Sequence, residues 1–443
     1  MTATELASSR RAFAVNFNEV ITWNVAAQFA VKWNWPAEVI LPLKLALRRR
    51  VNSGLEALPP ETEVTLLTIR FDGTIEPRET LQIGEMKGKL FSVSPGNVIF
   101  SKIDVRNGAI GLAPSDVENM CVTSEFPIYD VNLEVADPKY IKLLFRTDAF
   151  KTLLNSMISG TSGRKRIQPS QLEEVRVPLP DRPAQQKIIS YWEEGESVLA
   201  ALNEKAFAVV RSLNKLLISK TENFQVAAQS KQFMATYGMS RQWDVKAGRA
   251  AAFIAANPTF VRLGDFTEEC TETRKPWEQP EKEWPIYGVS NKDGVFLNGF
   301  QLGKDFNAPY KKIKKDWFFH NPTRANVGSL GIVPEVPDDA LTSPEYQVWR
   351  MTGGFLPAFM SLLLRTEFFL AIVAFSRVGG VKQRMYYANL AEIRLPMLPL
   401  DAQRRIANQY SVLQDEILLA RRDLVRRKKI VEQLILGTAD KGD

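Results

Sequence analysis

Val175-Arg176-Val177-Pro178-Leu179-Pro180, followed by Pro183-Ala184-Gln185-Gln186-Lys187-Ile188, decides how this chain is read, because it is written twice. It returns as Ile393-Arg394-Leu395-Pro396, then Ala402-Gln403-Arg404-Arg405-Ile406. A short apolar run closed by proline reads as a strand that cannot continue. Asp181 with Pro183 behind it reads as a helix start. A repeat of this kind fixes the architecture before any single residue is interpreted.

Upstream, Leu143-Leu144-Phe145-Arg146-Thr147-Asp148-Ala149-Phe150 answers Leu362-Leu363-Leu364-Arg365-Thr366-Glu367-Phe368-Phe369, both amphipathic helix patterns with one Arg-Thr-acid step. Between these and the junctions, Arg166-Ile167, Leu172 and Glu174-Val175-Arg176 correspond to Arg384-Met385, Leu390 and Glu392-Ile393-Arg394. Earlier still, the turn signals Asp72-Gly73 and Asp293-Gly294 correspond. Val98-Ile99-Phe100 pairs with Trp317-Phe318-Phe319, each followed by a polar loop ending at Gly111-Leu112 or Gly331-Ile332, and Thr123-Ser124 answers Thr342-Ser343.

Downstream of each junction runs a proline-free helix with apolar residues in steps of three and four, a heptad seam. The first carries Ile188, Tyr191, Gly195, Val198, Leu202, Ala206, Val209, Leu213 and Leu216; the second carries Ile406, Tyr410, Leu413, Ile417, Ala420, Leu424, Val431 and Leu434, interrupted by Arg427 and ended by Gly437. Neither stripe can be buried within a small domain, so the helices are expected to pair antiparallel, with an α/β domain at each end. The expected fold is α+β: two repeated mixed α/β domains separated by a pair of long antiparallel coiled-coil helices. The boundaries are 1–180 and 223–398 for the domains, 181–222 and 399–437 for the helices, and 438–443 for a tail.

Composition agrees with this division. The chain has 443 residues, 45% hydrophobic and 24% charged, enough for two or three cores. Its two cysteines, Cys121 and Cys270, supply neither a disulfide framework nor a zinc site. No apolar run reaches the roughly 18 residues of a membrane span, and a cytoplasmic location is expected. A net charge of +7 has the sign that suits a polyanion.

The junctions, repeat order and length resemble the specificity subunits of type I restriction-modification systems. In that family a Pro-Leu-Pro strand end and a Gln-Gln-basic-Ile helix start close each recognition domain and open each conserved helix. Arg404 departs from this pattern, and Met1 to Trp35 is longer than the family's usual start. The resemblance implies that each domain reads one half of a split duplex DNA target. It also implies that the helices set the spacing and dock methyltransferase (M) subunits, which restriction-translocase (R) subunits join. S-adenosylmethionine, ATP and Mg²⁺ would then belong to those partners, with no cofactor or metal in this chain.

Base reading needs directional donors and acceptors. Lys102, Arg106 and Asn107 supply them in the first polar loop, and Asn321, Arg324 and Asn326 in the second. Phosphate binding needs cations near glycine amides. Gly160-Thr161-Ser162-Gly163-Arg164-Lys165-Arg166 has this form, and Gly379-Gly380-Val381-Lys382-Gln383-Arg384 is its counterpart. Lys311 and Lys312, with Lys314 and Lys315, form a further run that is either a DNA contact or a solvated turn. For the basic stretch Arg421 to Lys429, DNA, an acidic partner and plain solvation all stay open.

Catalytic signatures are incomplete. Asn321-Pro322-Thr323 lacks the second proline and aromatic of a base-methylating tetrapeptide, and Gly84 to Lys89 is short of a phosphate-cradling loop. Asp72 with Glu85 and Lys87, and more weakly Asp338 with Glu345 and Gln347, match a loose nuclease string. The lone His320 is expected at a strand end, near DNA. Two other classes remain: a self-contained nuclease or modifying enzyme, which replacing Asp72 and Glu85 would inactivate, and a coiled-coil scaffold indifferent to nucleic acid and salt.

Overall fold

The computed structural model describes residues 31–438 except 52–53, 56–57, 87, 157–165, 223–244 and 380–381, and omits the side chains of 245–247. The chain divides into two compact units, Met1–Leu199 with Ala420–Asp443, and Ala200–Leu419.

In the first unit β1 (Ile40–Pro42) pairs antiparallel with β10 (Arg176–Pro178), so the proline-ended junction strand folds back onto the start of the domain. One four-stranded sheet has the order β2-β9-β6-β7, with β2 Leu47–Arg49, β6 Val98–Phe100, β7 Ile110–Leu112 and β9 Ile128–Val131. A second has the order β4-β3-β8-β5, with β3 Glu63–Ile69, β4 Ile75–Gln82, β5 Leu90–Ser92 and β8 Met120–Thr123. Helices α1 (Pro138–Arg146), α2 (Asp148–Ser156) and α3 (Pro169–Glu173) lead to the long α4 (Arg182–Ser219).

The second unit repeats this plan. After α5 (Val245–Ala256), β11 (Val261–Arg262) pairs with β21 (Arg394–Leu395) as β1 does with β10. The sheet β12-β20-β17-β18 (Thr267–Glu269, Gln347–Met351, Phe318–His320, Leu330–Ile332) copies the order of the first unit's first sheet. In β15-β14-β19-β16 (Gly294–Leu302, Glu283–Ser290, Leu341–Thr342, Tyr310–Lys312) the second order recurs, with β13 (Thr273–Arg274) added at its edge. Even the parallel pairing is kept, β3 with β8 and β14 with β19. Helices α6 (Pro357–Leu363), α7 (Glu367–Ser376) and α8 (Tyr387–Ala391) precede the long α9 (Leu400–Leu436).

Register corrects the strand alignment by one residue. The partner of Val98–Phe100 is Phe318–His320, not the triplet beginning at Trp317, since both strands pair with the same neighbours at the same positions. His320 therefore stands where the first unit has Phe100, and both are buried.

The repeated residues have local reasons. Thr147 and Thr366 sit at the corners between α1 and α2 and between α6 and α7, where each hydroxyl accepts the amide of Phe150 or Phe369. That is an N-cap, and it explains the Arg-Thr-acid step. The junction glutamines are almost wholly buried. Gln185 donates to the carbonyls of Val135 and Pro180 and accepts the amide of Asp137, the residue capping α1. Gln403 likewise donates to Gly354 and Leu398 and accepts the amide of Leu356, the cap of α6. A buried glutamine with both ends satisfied clamps the long helix to the domain it leaves.

Each unit contains the beginning or end of both long helices. In the first, Ile188 and Ile189 of α4 share a core with Val431 and Ile435 of α9, and Gly195 lies against Leu424 and Arg427. In the second, Leu213 and Leu217 of α4 share a core with Ile406, Ala407 and Tyr410 of α9. The start of one helix thus packs on the end of the other, as antiparallel neighbours do. Val198, expected on the seam, is 49% exposed, and the stripe passes through half-buried Leu199 instead. Gly195, Leu199, Leu202, Ala206, Val209 and Leu213 then follow strict steps of four and three.

Arg427 does not break the seam. Its guanidinium lies 4.6 Å over the Tyr191 ring, pairs with Glu194 at 3.0 Å and Asp423 at 2.6 Å, and donates to the Tyr191 carbonyl. Opposite it, a Cβ on Gly195 would come within 2.6 Å of Arg427 Cδ, so the glycine makes room.

Among the described residues no single helix is long and apolar enough to span a membrane. The bent pair α6–α7 is apolar because it is core: Phe359, Met360, Phe368 and Phe369 are fully buried.

Candidate nucleic-acid interface

In each unit the strand-to-strand connection after β6 or β17 is a single 3-10 turn, Val105–Asn107 or Ala325–Val327, closed by a left-handed glycine. Gly108 (φ 102°) and Gly328 (φ 89°) donate to the carbonyls of Val105 and Ala325. Any Cβ at Gly108 would fall 2.1 Å from the Phe71 carbonyl oxygen, so glycine is required there.

On this shared backbone the side chains differ. In the first unit Asp104 accepts weakly from exposed Asn107 at 3.4 Å, and Arg106 is half-buried with its Nε lacking a hydrogen-bond partner among the described residues. In the second unit Asn321 accepts the amide and hydroxyl of Thr323, which fixes the turn and uses its oxygen. Arg324 is exposed and carries no ion pair among the described residues; Asn326 is half-buried beside it.

The described residues that close the basic glycine stretches adjoin these turns. Ile167 N–H donates to Lys102 O, and its twin Met385 N–H donates to Pro322 O, both at 2.9 Å. Arg166 is thereby brought beside the first turn, and Lys382, Gln383 and Arg384 beside the second. Arg164 and Lys165, with Gly160–Gly163, lie outside the described residues, as do Gly380 and Val381. The second loop is pinched by paired backbone bonds between Val378 and Arg384, so exposed Lys382 and half-buried Gln383 lie near its tip.

An acidic residue of each unit faces this cluster: Glu125, which the sequence did not single out, and Glu345, offered there only as part of a nuclease string. Glu125 lies 3.5 Å from Arg166. Its twin Glu345 favours the charge of Arg384, after the Tyr386 hydroxyl.

Several candidates are otherwise engaged. Lys102 donates through Nζ to Ser124 O at 2.7 Å. Lys311 and Lys312 are not in a turn but on β16, where the Lys311 ammonium donates to Tyr346 O and burial lowers its pKa. Lys314 and Lys315 pair with Glu272 and Glu335. His320 is at a strand end as expected but does not face solvent: it is 1% exposed, 2.8 Å from Met385 O through Nε2, and burial pushes its pKa down to about 4.

The nuclease strings have local uses. Asp72 accepts the Thr74 amide, which holds its carboxyl below the usual range, and Glu85 accepts the Gln82 amide in a capping box. Lys87 is outside the described residues. Gln347 accepts the Tyr387 amide. No group of three or more metal-ligating side chains occurs among the described residues. Both cysteines are buried and free, and burial pushes their thiols up to about 11.

Three solved structures are similar to this chain. The HsdS subunit from Thermoanaerobacter tengcongensis is 18% identical (TM-score 0.31), covering 92% of this chain and 97% of that one. The S subunit of a type I restriction-modification system from M. genitalium is 12% identical (TM-score 0.42; 93% and 97%). A third, from work on complex assembly and conformational transition of the type I R-M system, is 16% identical (TM-score 0.36; 93% and 97%). The chain is similar to type I specificity subunits over nearly its whole length. No protein-family model and no curated protein matches it.

Proposed function

We propose that the chain is the DNA-reading specificity subunit of a type I restriction-modification complex. It recognises a bipartite, asymmetric duplex target and recruits methyltransferase and restriction subunits. The observation that carries this is the pair of turns: one backbone, built twice, presenting Arg106 and Asn107 in one unit and Arg324 and Asn326 in the other. A repeated frame with exchanged donors suits two readers of different half-sites. Arg166 beside the first turn, and Lys382 and Arg384 beside the second, add cations for phosphate, which position a reader without specifying sequence.

The chain itself performs no catalysis in this proposal; S-adenosylmethionine, ATP and Mg²⁺ act on the partner subunits. Co-expression with a cognate methyltransferase followed by methylome sequencing tests it. A split motif with unlike halves is expected, and its absence favours the scaffold reading.

A further inference from the structure

In the first unit, the corner where α1 turns into α2 faces both long helices across a cleft of about 260 Å³. Lys142 and Arg146 of α1, Lys151 of α2 and Lys428 of α9 border it, and the Trp192 indole forms one wall. Of its three carboxylates, Glu432 accepts the Ala149 amide and Asp72 the Thr74 amide, each at 2.9 Å. The third, Glu196, is exposed.

The cations are less well matched. Arg146 spends its donors on the carbonyls of Gly108 and Ile110, and Lys151 reaches Asp148 only at 3.7 Å. Lys142 and Lys428 carry no ion pair among the described residues. The amino end of α2 adds its own partial positive charge.

The second unit is an internal control, since it builds the same corner from α6, α7 and the exchanged long helices. There Asn214 accepts the Phe368 amide at 2.9 Å, as Glu432 accepts that of Ala149. By the repeat, Lys142, Lys151 and Lys428 correspond to Ser361, Leu370 and Val210, and Glu196 to Gln414. The corner therefore folds without any of these charges. Packing does not require three lysines around the cleft of the first unit, and a ligand would.

We propose that this cleft binds a phosphate-bearing small molecule of the nucleotide class, with its phosphates on Lys142, Lys151 and Lys428 and its planar ring against Trp192. Lysine ammoniums serve phosphate as point charges, and an indole face accepts any base. The volume is near the roughly 300 Å³ at which small-molecule pockets begin, whereas duplex DNA needs an open groove.

The full-length chain is titrated calorimetrically with ATP and, separately, with inorganic pyrophosphate. One site per chain is expected. Installing the second unit's residues (Lys142→Ser, Lys151→Leu, Lys428→Val), with folding checked by circular dichroism, should weaken both probes by about tenfold or more, the equivalent of ~1.4 kcal/mol. Should that variant misfold, the exposed pair Lys142→Ala with Lys428→Ala replaces it. Trp192→Phe should weaken ATP more than pyrophosphate. No binding of either probe at millimolar concentration, or binding that the lysine substitutions leave unchanged, overturns the proposal. So does a variant that loses only duplex DNA affinity, which would make the cleft a backbone contact.

Discussion

His320 takes, in the second unit, the core position that Phe100 takes in the first, and this has a cost that depends on pH. Its Nδ1 is buried without a partner among the described residues, and its pKa falls from 6.5 to about 4. A base depressed in the folded state stays neutral there while the unfolded chain takes up a proton. Its contribution is thus whole above pH 6.5 and is lost as pH falls toward 4, by roughly 3 kcal/mol. The nearby Lys311 charge acts in the same direction. Urea midpoints from pH 7 to 4 should fall more for the wild type than for His320→Gln, which still has a donor for Met385 O; parallel curves would show that another group controls the slope. Gln403 tests a different residue-scale claim. Gln403→Ala strands a buried amide and two carbonyls, so a loss of about 2–4 kcal/mol is expected, while exposed Gln186→Ala should stay within about 0.5 kcal/mol. The sequence showed both glutamines as a repeated motif without a hint of their role, since one of the two carbonyls each binds, and the amide it accepts, lie some fifty residues upstream.

At the scale of elements, periodicity located both long helices, and pairing decided the details. The step from Tyr191 to Val198 is as good a heptad spacing as any, but it puts valine in solvent. Only burial shows that the seam, after Gly195, runs through Leu199 rather than Val198. Arg427 looked like an interruption because sequence cannot show the Tyr191 ring and the Glu194 and Asp423 carboxylates that receive it. Leu213→Ala, at a residue 2% exposed, should cost about 2–5 kcal/mol, and Val198→Ala within about 0.5 kcal/mol. Equal losses in denaturant melts would mean the stripe has been drawn on the wrong face. The strands were legible to within one residue: Trp317-Phe318-Phe319 and Val98-Ile99-Phe100 match as apolar triplets, and only the ladder shows that His320, not Phe319, corresponds to Phe100.

For the molecule as a whole, duplication separates what folding needs from what function adds. Sheet order, the glutamine clamp, the threonine corner and the glycine-closed turn are built twice, whereas the turn donors and the charges at the first unit's corner are not. The proposed DNA role must therefore reside in features that differ between units or that lie exposed in both. Exposed Lys382 lies beside the second turn, and its work would be electrostatic and indifferent to sequence. Each phosphate contact removed should reduce the slope of log affinity against log salt by about 0.9. Lys382→Ala should thus weaken cognate and non-cognate duplexes alike and flatten that slope. Arg324→Ala should instead lose about 1–3 kcal/mol on the cognate duplex alone and relax only one half of the methylated motif. If Arg324→Ala left the motif intact while Lys382→Ala altered it, base reading and phosphate positioning would have to exchange places between the turn and the glycine loop.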